Sequence, residues 1–234
     1  MTAAGPKLVT FADPEQLARA LAEAVAGLLR EGIAARNQAT LVVSGGTTPK
    51  PFFRRLRQLE LPWQRVWVTL ADERWVDPAH DASNEGLVRA LLLRDQASQA
   101  TFVPLKNKAK TPRAGEVECG RALARIPRPF TAVVLGMGLD GHTASLFPGA
   151  ERLDLALAPD AEDCLAITPI QGQYERITLT LPTLLRARHL FLHLTGQEKK
   201  QALRLAMADG PVSAMPVRAI LRQRQTPVHI YWSP

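Results

Sequence analysis

Short runs of apolar residues alternate along the chain with longer stretches in which apolar residues recur every three or four positions. The short runs predict β-strands and the longer stretches predict amphipathic helices. The predicted strands cover residues 7–12, 40–43, 65–70, 130–135, 165–168, 176–181, 189–194 and 228–232. The predicted helices cover residues 14–31, 49–59, 83–93, 114–125 and 197–208. This alternation predicts an α/β fold with a single open, mostly parallel sheet flanked by helices on both faces, in a modified Rossmann-like arrangement.

Local signals mark the ends of several predicted elements. Asp13 is a suitable N-cap, Pro14 suits the first helical position, and Gly32 is expected to follow the end of that helix. Thr48 is expected to cap the next helix. The run 130–135 does not alternate with polar residues, which indicates a strand buried on both faces. No repeat or linker interrupts the pattern, so we expect one domain over residues 1–234.

The composition narrows the classes of function. The net charge is +7, but the arginines are scattered and only 6% of residues are aromatic, which argues against a nucleic-acid-binding protein. The positive charge favours the approach of a small anionic substrate. Cys119 and Cys164 lie far apart and without metal-ligand spacing, so we expect neither a disulfide nor a metal site. The absence of a signal peptide or an apolar run of about 18 residues favours a cytoplasmic protein without membrane contact.

Glycine-rich or charged segments follow four of the predicted strands, at residues 44–48, 72–74, 136–142 and 195–199. In an open α/β sheet, ligands bind outside the carboxyl ends of the strands. We therefore expect these four segments to form one site.

The segments 44–48 and 72–74 suggest anion binding. In Ser44-Gly45-Gly46-Thr47-Thr48, the glycines allow close approach of a backbone to a phosphate, although a plain tight turn explains the segment equally well. It is not a Walker motif. Arg74 offers a planar fork for phosphate or carboxylate, but a surface ion pair is the better explanation of 72–74 taken alone.

The segment from Gly136 to His142 carries the strongest chemical signal. A strand, three glycines and a histidine at an expected helix start predict a site for proton transfer near neutral pH. Asp140 lies two residues earlier and is suited to orient the imidazole. Ser145 has no base of its own and no Gly-x-Ser-x-Gly elbow, which argues against a serine nucleophile. A dinucleotide loop would lie on the first strand–helix unit, not here.

Two further cationic side chains are candidate hydrogen-bond donors to a phosphate. Lys199 begins a predicted helix, and a solvated helix face explains its neighbour Lys200 better than Lys199. Arg176 begins a predicted strand, and its simpler explanation is an arginine at a strand edge. The remaining histidines have simpler explanations. We expect His80 to be a solvated side chain. We expect structural roles for His189, His193 and His229.

Together these segments resemble the family that contains the 6-phosphogluconolactonases and the glucosamine-6-phosphate deaminases. The matching segments, in the order of the family, are Ser44–Pro49, Asp72–Val76, Ser83-Asn84, Gly136–Pro148, Arg176–Thr178, and Thr195-Gly196 with Lys199. Deaminases carry tyrosine at the position of Arg74, and Asn-Glu-Pro at the position of Leu146-Phe147-Pro148. The resemblance is therefore to the lactonases within this family.

The resemblance implies hydrolysis of 6-phospho-D-glucono-1,5-lactone to 6-phosphogluconate in the oxidative pentose phosphate pathway, without a cofactor or metal. It implies that His142 is the general base, that Asp140 orients it, and that Arg74 stabilises the developing negative charge or holds the substrate's oxygens. The substrate and its phosphate would be held by Ser44, Gly45, Gly46, Thr47, Asp72, Arg176 and Lys199.

The expected partner is the sugar-phosphate lactone, with no nucleic acid and no membrane, and we expect a monomer or a weak homodimer. Two alternatives stay open: a deaminase-type isomerase acting on glucosamine 6-phosphate, and a non-enzymatic regulator that binds a sugar phosphate.

Overall fold

The computed structural model describes residues 5–170 and 172–234, and its centre is a seven-stranded sheet in which all neighbours are parallel. Its strands are β1 (Lys7–Thr10), β2 (Ala39–Val43), β3 (Val66–Leu70), β5 (Thr101–Val103), β6 (Ala132–Leu135), β9 (Leu190–Thr195) and β10 (Val228–Ser233). They lie in the order β1-β10-β9-β6-β2-β3-β5. A smaller antiparallel sheet contains β4 (Asp72–Arg74), β7 (Cys164–Ile167) and β8 (Arg176–Leu179), in the order β4-β8-β7.

Helices flank the large sheet. They are α1 (Pro14–Arg36), α2 (Lys50–Leu56), α3 (Asn84–Leu91), α4 (Pro112–Leu123), α5 (Leu153–Leu157), α6 (Leu181–Leu185), α7 (Gln197–Met207) and α8 (Val217–Arg222). Short 3₁₀ turns cover residues 63–65, 95–99 and 212–214. The predicted α/β class with a mostly parallel sheet is confirmed. The small antiparallel sheet was not predicted.

The central strands β2, β6 and β9 form the buried middle of the large sheet. All residues of β2 and β6 are buried, which agrees with their lack of alternation. Val43 at the end of β2 pairs with Val134 in β6, and Leu135 pairs with Leu192 in β9. The carboxyl ends of three adjacent strands therefore meet at one edge.

The first helix begins as predicted but ends later. Asp13 Oδ1 accepts a hydrogen bond from Gln16 N at 2.8 Å, so the cap is confirmed. The predicted end at Gly32 is wrong, because α1 continues to Arg36 and ends with Asn37 in the left-handed conformation. A Cβ at position 32 would lie 3.2 Å from the Thr131 side chain. Gly32 therefore allows close packing of the helix against the sheet and is not a helix stop.

Two other expected helix starts are also wrong. Helix α2 starts at Lys50 without a side-chain cap, and Thr48 Oγ1 instead lies 3.5 Å from Thr195 Oγ1. No helix follows His142, since residues 143–150 form turns and a short bridge. Gly138 N donates to His142 O at 2.8 Å, so the glycine-rich segment folds back on itself.

The small sheet is joined to the large one through Ala71, which lies between β3 and β4. Ala71 N donates to Val43 O at 2.8 Å, and Ala71 O accepts from Leu179 N at 2.8 Å. The predicted strands at 165–168 and 176–181 thus belong to the small sheet. Its pairing places Arg74 opposite Arg176 and brings β4 and β8 to the carboxyl edge of the large sheet.

Candidate active site

A cavity of about 270 Å³ lies at the carboxyl edge of the large sheet, beside the small sheet. This is the position where open α/β sheets bind ligands. The predicted site residues that line it are Ser44, Gly45, Gly46, Thr47, Asp72, Arg74, His142, Arg176 and Lys199. Asp140 does not line the cavity but contacts His142. The structure therefore brings all ten residues into one region.

The imidazole of His142 is held by the Asp140 carboxylate. Asp140 Oδ1 lies 2.6 Å from His142 Nδ1 and also accepts from His142 N at 3.1 Å. Because an ionised carboxylate can only accept, Nδ1 carries the proton and the lone pair is on Nε2. Partial burial acts to raise the pKa of Asp140, but the hydrogen bonds from His142 outweigh it and hold this pKa below its usual value. The pair is thus a carboxylate that orients a basic imidazole.

The glycine-rich segment gives this pair its geometry. A Cβ at position 138 would lie 2.1 Å from His142 Nδ1 and 2.3 Å from Asp140 Oδ1. Gly141 has φ +79°, and a Cβ there would lie 2.7 Å from the Met215 side chain. A residue larger than glycine at 138 would push the carboxylate and the ring apart.

Phe147 packs against two residues that line the cavity, His142 and Arg176. Its ring centroid is 4.3 Å from that of His142 and 5.0 Å from the Arg176 guanidinium carbon. Burial lowers the pKa of Arg176, an effect that Asp72 opposes. Sequence reasoning quoted Phe147 only as part of a motif, because an isolated aromatic residue gives no signal of its neighbours.

Asp72 is positioned by residues from both sides. Ser145 Oγ donates to Asp72 Oδ2 at 2.6 Å, and Arg176 Nη1 lies 3.7 Å from the same oxygen. Ser145 has 0% exposure, so its hydroxyl is committed to Asp72 and does not reach the cavity. The Ser145 hydroxyl is therefore not placed to attack a substrate in the cavity.

Arg74 is fixed at both its backbone and its side chain. Its Nη1 donates to Ala82 O at 2.7 Å, and its N donates to Glu73 Oε1 at 2.7 Å. Within the described residues, four buried polar atoms of cavity residues have no hydrogen-bond partner, and these are Arg74 Nε, Arg176 Nε, Ser44 Oγ and His193 Nδ1. Unpaired donors of this kind suit an anionic ligand.

Glu73 joins β4 to the start of α3, a role that sequence reasoning missed. Its carboxylate accepts from Arg74 N, Asn84 N at 2.8 Å, Glu85 N at 2.6 Å and Ser83 Oγ at 3.1 Å. Burial raises the pKa of Glu73, and the three backbone donors act in the opposite direction. Glu73 is 1% exposed and does not line the cavity, and it supports Arg74 through the hydrogen bond from the Arg74 backbone.

The segment 44–48 has the backbone of an anion-binding loop. Gly46 has φ +95°, which glycine adopts without strain. Among the described residues, the amides of 45–47 donate to no backbone carbonyl. Lys199 also lines the cavity, and its Nζ donates to Met137 O at 2.6 Å. Burial lowers the pKa of Lys199, while Asp140 and Glu198 oppose this effect.

Asn84 and His193 also line the cavity, although neither was a predicted site residue. His193 is 3% exposed, and burial lowers its pKa to about 4, so its imidazole is neutral at pH 7. It had been expected to be purely structural, and its ring does pack edge-on against Phe52. His80 is exposed, as expected. His189 and His229 lie outside the cavity, with 3.3 Å between His189 Nδ1 and His229 Nε2.

Residues 5–170 and 172–234 contain no cluster of three or more His, Cys, Asp or Glu side chains that could hold a metal ion. Within the same ranges, no helix has the length and apolarity needed to cross a membrane.

Comparison with known proteins places the chain in one family. Residues 12–232 match the family described as glucosamine-6-phosphate isomerases/6-phosphogluconolactonase. A 6-phosphogluconolactonase of Rhizobium meliloti is 47% identical over 96% of this chain and 97% of its own, and one of Pseudomonas aeruginosa is 42% identical over 99% and 96%. The crystal structure of a 6-phosphogluconolactonase from Shewanella baltica superposes with a TM-score of 0.96 at 44% identity, over 100% of both chains. The chain belongs to the family of glucosamine-6-phosphate isomerases and 6-phosphogluconolactonases.

Proposed function

We propose that His142 is the general base with which this chain hydrolyses 6-phospho-D-glucono-1,5-lactone to 6-phospho-D-gluconate, a step of the oxidative pentose phosphate pathway. The lactone hydrolase activity follows from relatives that carry the 6-phosphogluconolactonase name and match over nearly their whole length. The observation that supports the role of His142 is the 2.6 Å contact between its Nδ1 and Asp140, which leaves Nε2 basic in a residue that lines the cavity.

The reaction needs one base and one stabiliser of negative charge. His142 Nε2 takes a proton from water as the water oxygen attacks the lactone carbonyl carbon, and Asp140 stabilises the imidazolium that forms. Arg74 stabilises the negative charge that develops on the carbonyl oxygen. The ring C–O bond then breaks, and the imidazolium returns its proton to the leaving ring oxygen. General base catalysis of this type contributes about 10²–10⁴-fold.

The phosphate of the substrate binds at the other side of the cavity. The unpaired Ser44 hydroxyl and the amides of Gly45, Gly46 and Thr47 are its donors. Lys199 supplies positive charge.

Arg176 assists at the phosphate, and Asp72 orients Arg176 from 3.7 Å.

Phe147 favours hydrolysis over deamination at this site. It stands where the resemblance to deaminases would require the glutamate that opens the sugar ring. An apolar ring packed against His142 and Arg176 can transfer no proton. Arg74 also replaces the tyrosine of the deaminases.

The remaining properties are part of the proposal. We place the reaction in the cytoplasm, in a chain of one domain that acts as a monomer or weak homodimer, with the sugar-phosphate lactone as its partner. Neither nucleic acid nor membrane takes part, and no cofactor or metal is required.

The test is hydrolysis of freshly generated 6-phosphogluconolactone, corrected for spontaneous opening. We expect His142→Ala to fold normally and to lose about 10²–10⁴-fold in kcat, whereas His80→Ala, at an exposed position, should keep wild-type kcat. Near wild-type turnover by His142→Ala would disprove the base assignment. Ammonia release from glucosamine 6-phosphate, without lactone hydrolysis, would point to the deaminase alternative.

A further inference from the structure

We infer that Asn84 is a positioning residue that sets the distance between the phosphate-binding loop 44–48 and the strand β4 that carries Arg74. The inference rests on the proposed function, because it assigns to Asn84 the alignment of the substrate's phosphate with its reacting carbonyl. Asn84 lines the cavity and is 2% exposed.

Asn84 is bound to β4 through two separate groups. Its side-chain Nδ2 donates to Asp72 O at 2.9 Å, and its backbone N donates to Glu73 Oε1 at 2.8 Å. Glu73 Oε1 also accepts from Arg74 N at 2.7 Å. The position of Asn84 is therefore fixed relative to the backbone of Arg74.

The same carboxamide lies directly against Gly45. A Cβ at position 45 would lie 1.8 Å from Asn84 Oδ1, 2.3 Å from Cγ and 3.0 Å from Nδ2. The carboxamide therefore occupies the space of a side chain at residue 45, and the loop backbone rests on it. This contact accounts for glycine at position 45, since any side chain there would displace Asn84 from Asp72.

These contacts form a continuous series from the loop 44–48, which binds the phosphate, to Arg74, which stabilises the developing negative charge. Gly45 packs on Asn84, Asn84 binds Asp72 and Glu73, and Glu73 holds the Arg74 backbone. Since both ends of the substrate are held at once, a change in this spacing weakens binding of the phosphate in the orientation that hydrolysis needs. Asn84 acts through Gly45 and Arg74 and has no role in the proton transfer.

A double-mutant cycle on Asn84 and Gly45 tests the inference. The dissociation constants of inorganic phosphate and of 6-phosphogluconate are measured by calorimetry, beside kcat and KM for the lactone. We expect Asn84→Ala to raise KM and the dissociation constant of 6-phosphogluconate, which is held at both ends, roughly 3- to 10-fold, with a smaller change in kcat and in the binding of inorganic phosphate, which is held at one end only. Gly45→Ala should act in the same direction, and the double variant should bind no more weakly than Gly45→Ala alone, since both changes break one contact.

Asn107 provides the matched control. Its Nδ2 donates to Gly115 O at 2.8 Å, and a Cβ at position 115 would lie 2.9 Å from its Oδ1, but it does not line the cavity. Asn107→Ala therefore removes a similar asparagine–glycine contact and should leave KM and both dissociation constants at wild-type values. A merely structural effect of Asn84→Ala would lower the active fraction, and hence kcat, at unchanged KM.

Two results would overturn the inference. One is wild-type binding of 6-phosphogluconate by Asn84→Ala, and the other is a double variant in which the separate effects of Asn84→Ala and Gly45→Ala multiply. If Gly45→Ala does not fold, the nearly isosteric Asn84→Leu decides, because it keeps the volume and adds no charge but loses the donor to Asp72 O, so it should weaken binding of 6-phosphogluconate as Asn84→Ala does. Failure of the proposed function is distinguishable, since the wild-type chain would then hydrolyse no lactone while the binding cycle could still be measured.

Discussion

At the scale of single residues, the Asp140 carboxylate determines which nitrogen of His142 is basic. Replacement by asparagine keeps an oxygen that can accept from Nδ1 but removes the charge that stabilises the imidazolium. We expect Asp140→Asn to lower kcat at least about tenfold with little change in KM. The measurement is the pH dependence of kcat, with the exposed Asp160→Asn as control. Unchanged kcat in Asp140→Asn would show that the 2.6 Å contact has no catalytic role.

Gly138 is needed for a steric reason that can be tested separately. A Cβ there would lie 2.1 Å from His142 Nδ1, so Gly138→Ala must displace the imidazole or the Asp140 carboxylate. We expect kcat to fall at least about tenfold, as for loss of the carboxylate itself, while the far-ultraviolet circular dichroism spectrum is retained. Gly120→Ala in α4 is the control, because nothing lies within 4 Å of a Cβ there. Equal activity of the two variants would contradict the steric argument.

At the scale of elements, the sequence predicted most strands and helices but not the pairing of the short ones. β2, β6 and β9 are continuous apolar runs, and their signal is local. β4 has three residues, too few to show a period, and its pairing with β8 joins residues about 100 positions apart. Phe147 and Glu73 were missed for the same reason, because their roles lie in contacts between segments distant in sequence.

Burial of His193 within β9 makes stability depend on pH. Its pKa is lowered from the usual 6.5 to about 4, and burial alone is the cause. Between these two pH values the unfolded chain binds more protons than the folded chain. The free energy of unfolding is therefore not reduced by His193 near pH 7, and it falls as the pH drops. Lowering the pH from 7 to 5 should therefore reduce the free energy of unfolding by about 2 kcal/mol through His193.

Urea unfolding at the two pH values tests this expectation. His193→Leu should remove about 2 kcal/mol of the difference between pH 7 and pH 5. The remaining difference in the free energy of unfolding between pH 7 and pH 5 should persist, since burial also lowers the pKa of His189 and His229. His80→Leu, at an exposed position, should leave the difference unchanged. A His193→Leu variant with the full pH dependence would refute the assignment to His193.

At the scale of the whole molecule, the site is formed where the two sheets meet. The large sheet supplies the phosphate-binding loop, the His142 segment and Lys199, and these were predictable because each is a local motif after a long strand. The small sheet supplies Asp72, Arg74 and Arg176. Their arrangement was not predictable, because it depends on Ala71 bonding to both sheets.

The net charge of +7 and the cations of the cavity predict that salt slows capture of the substrate. The phosphorylated lactone is an anion, so its approach is favoured by the positive field, and the Debye length falls from about 30 Å at 0.01 M to about 3 Å at 1 M salt. We expect kcat/KM to decrease several-fold from 0.01 to 0.5 M NaCl, mainly through KM, because the field acts on capture of the substrate, whereas the proton transfer from water to His142 follows once the substrate is bound. Unphosphorylated glucono-1,5-lactone is the matched substrate, and its lower kcat/KM should hardly respond to salt. Equal salt dependence for both lactones would mean that the positive charge does not act on the phosphate.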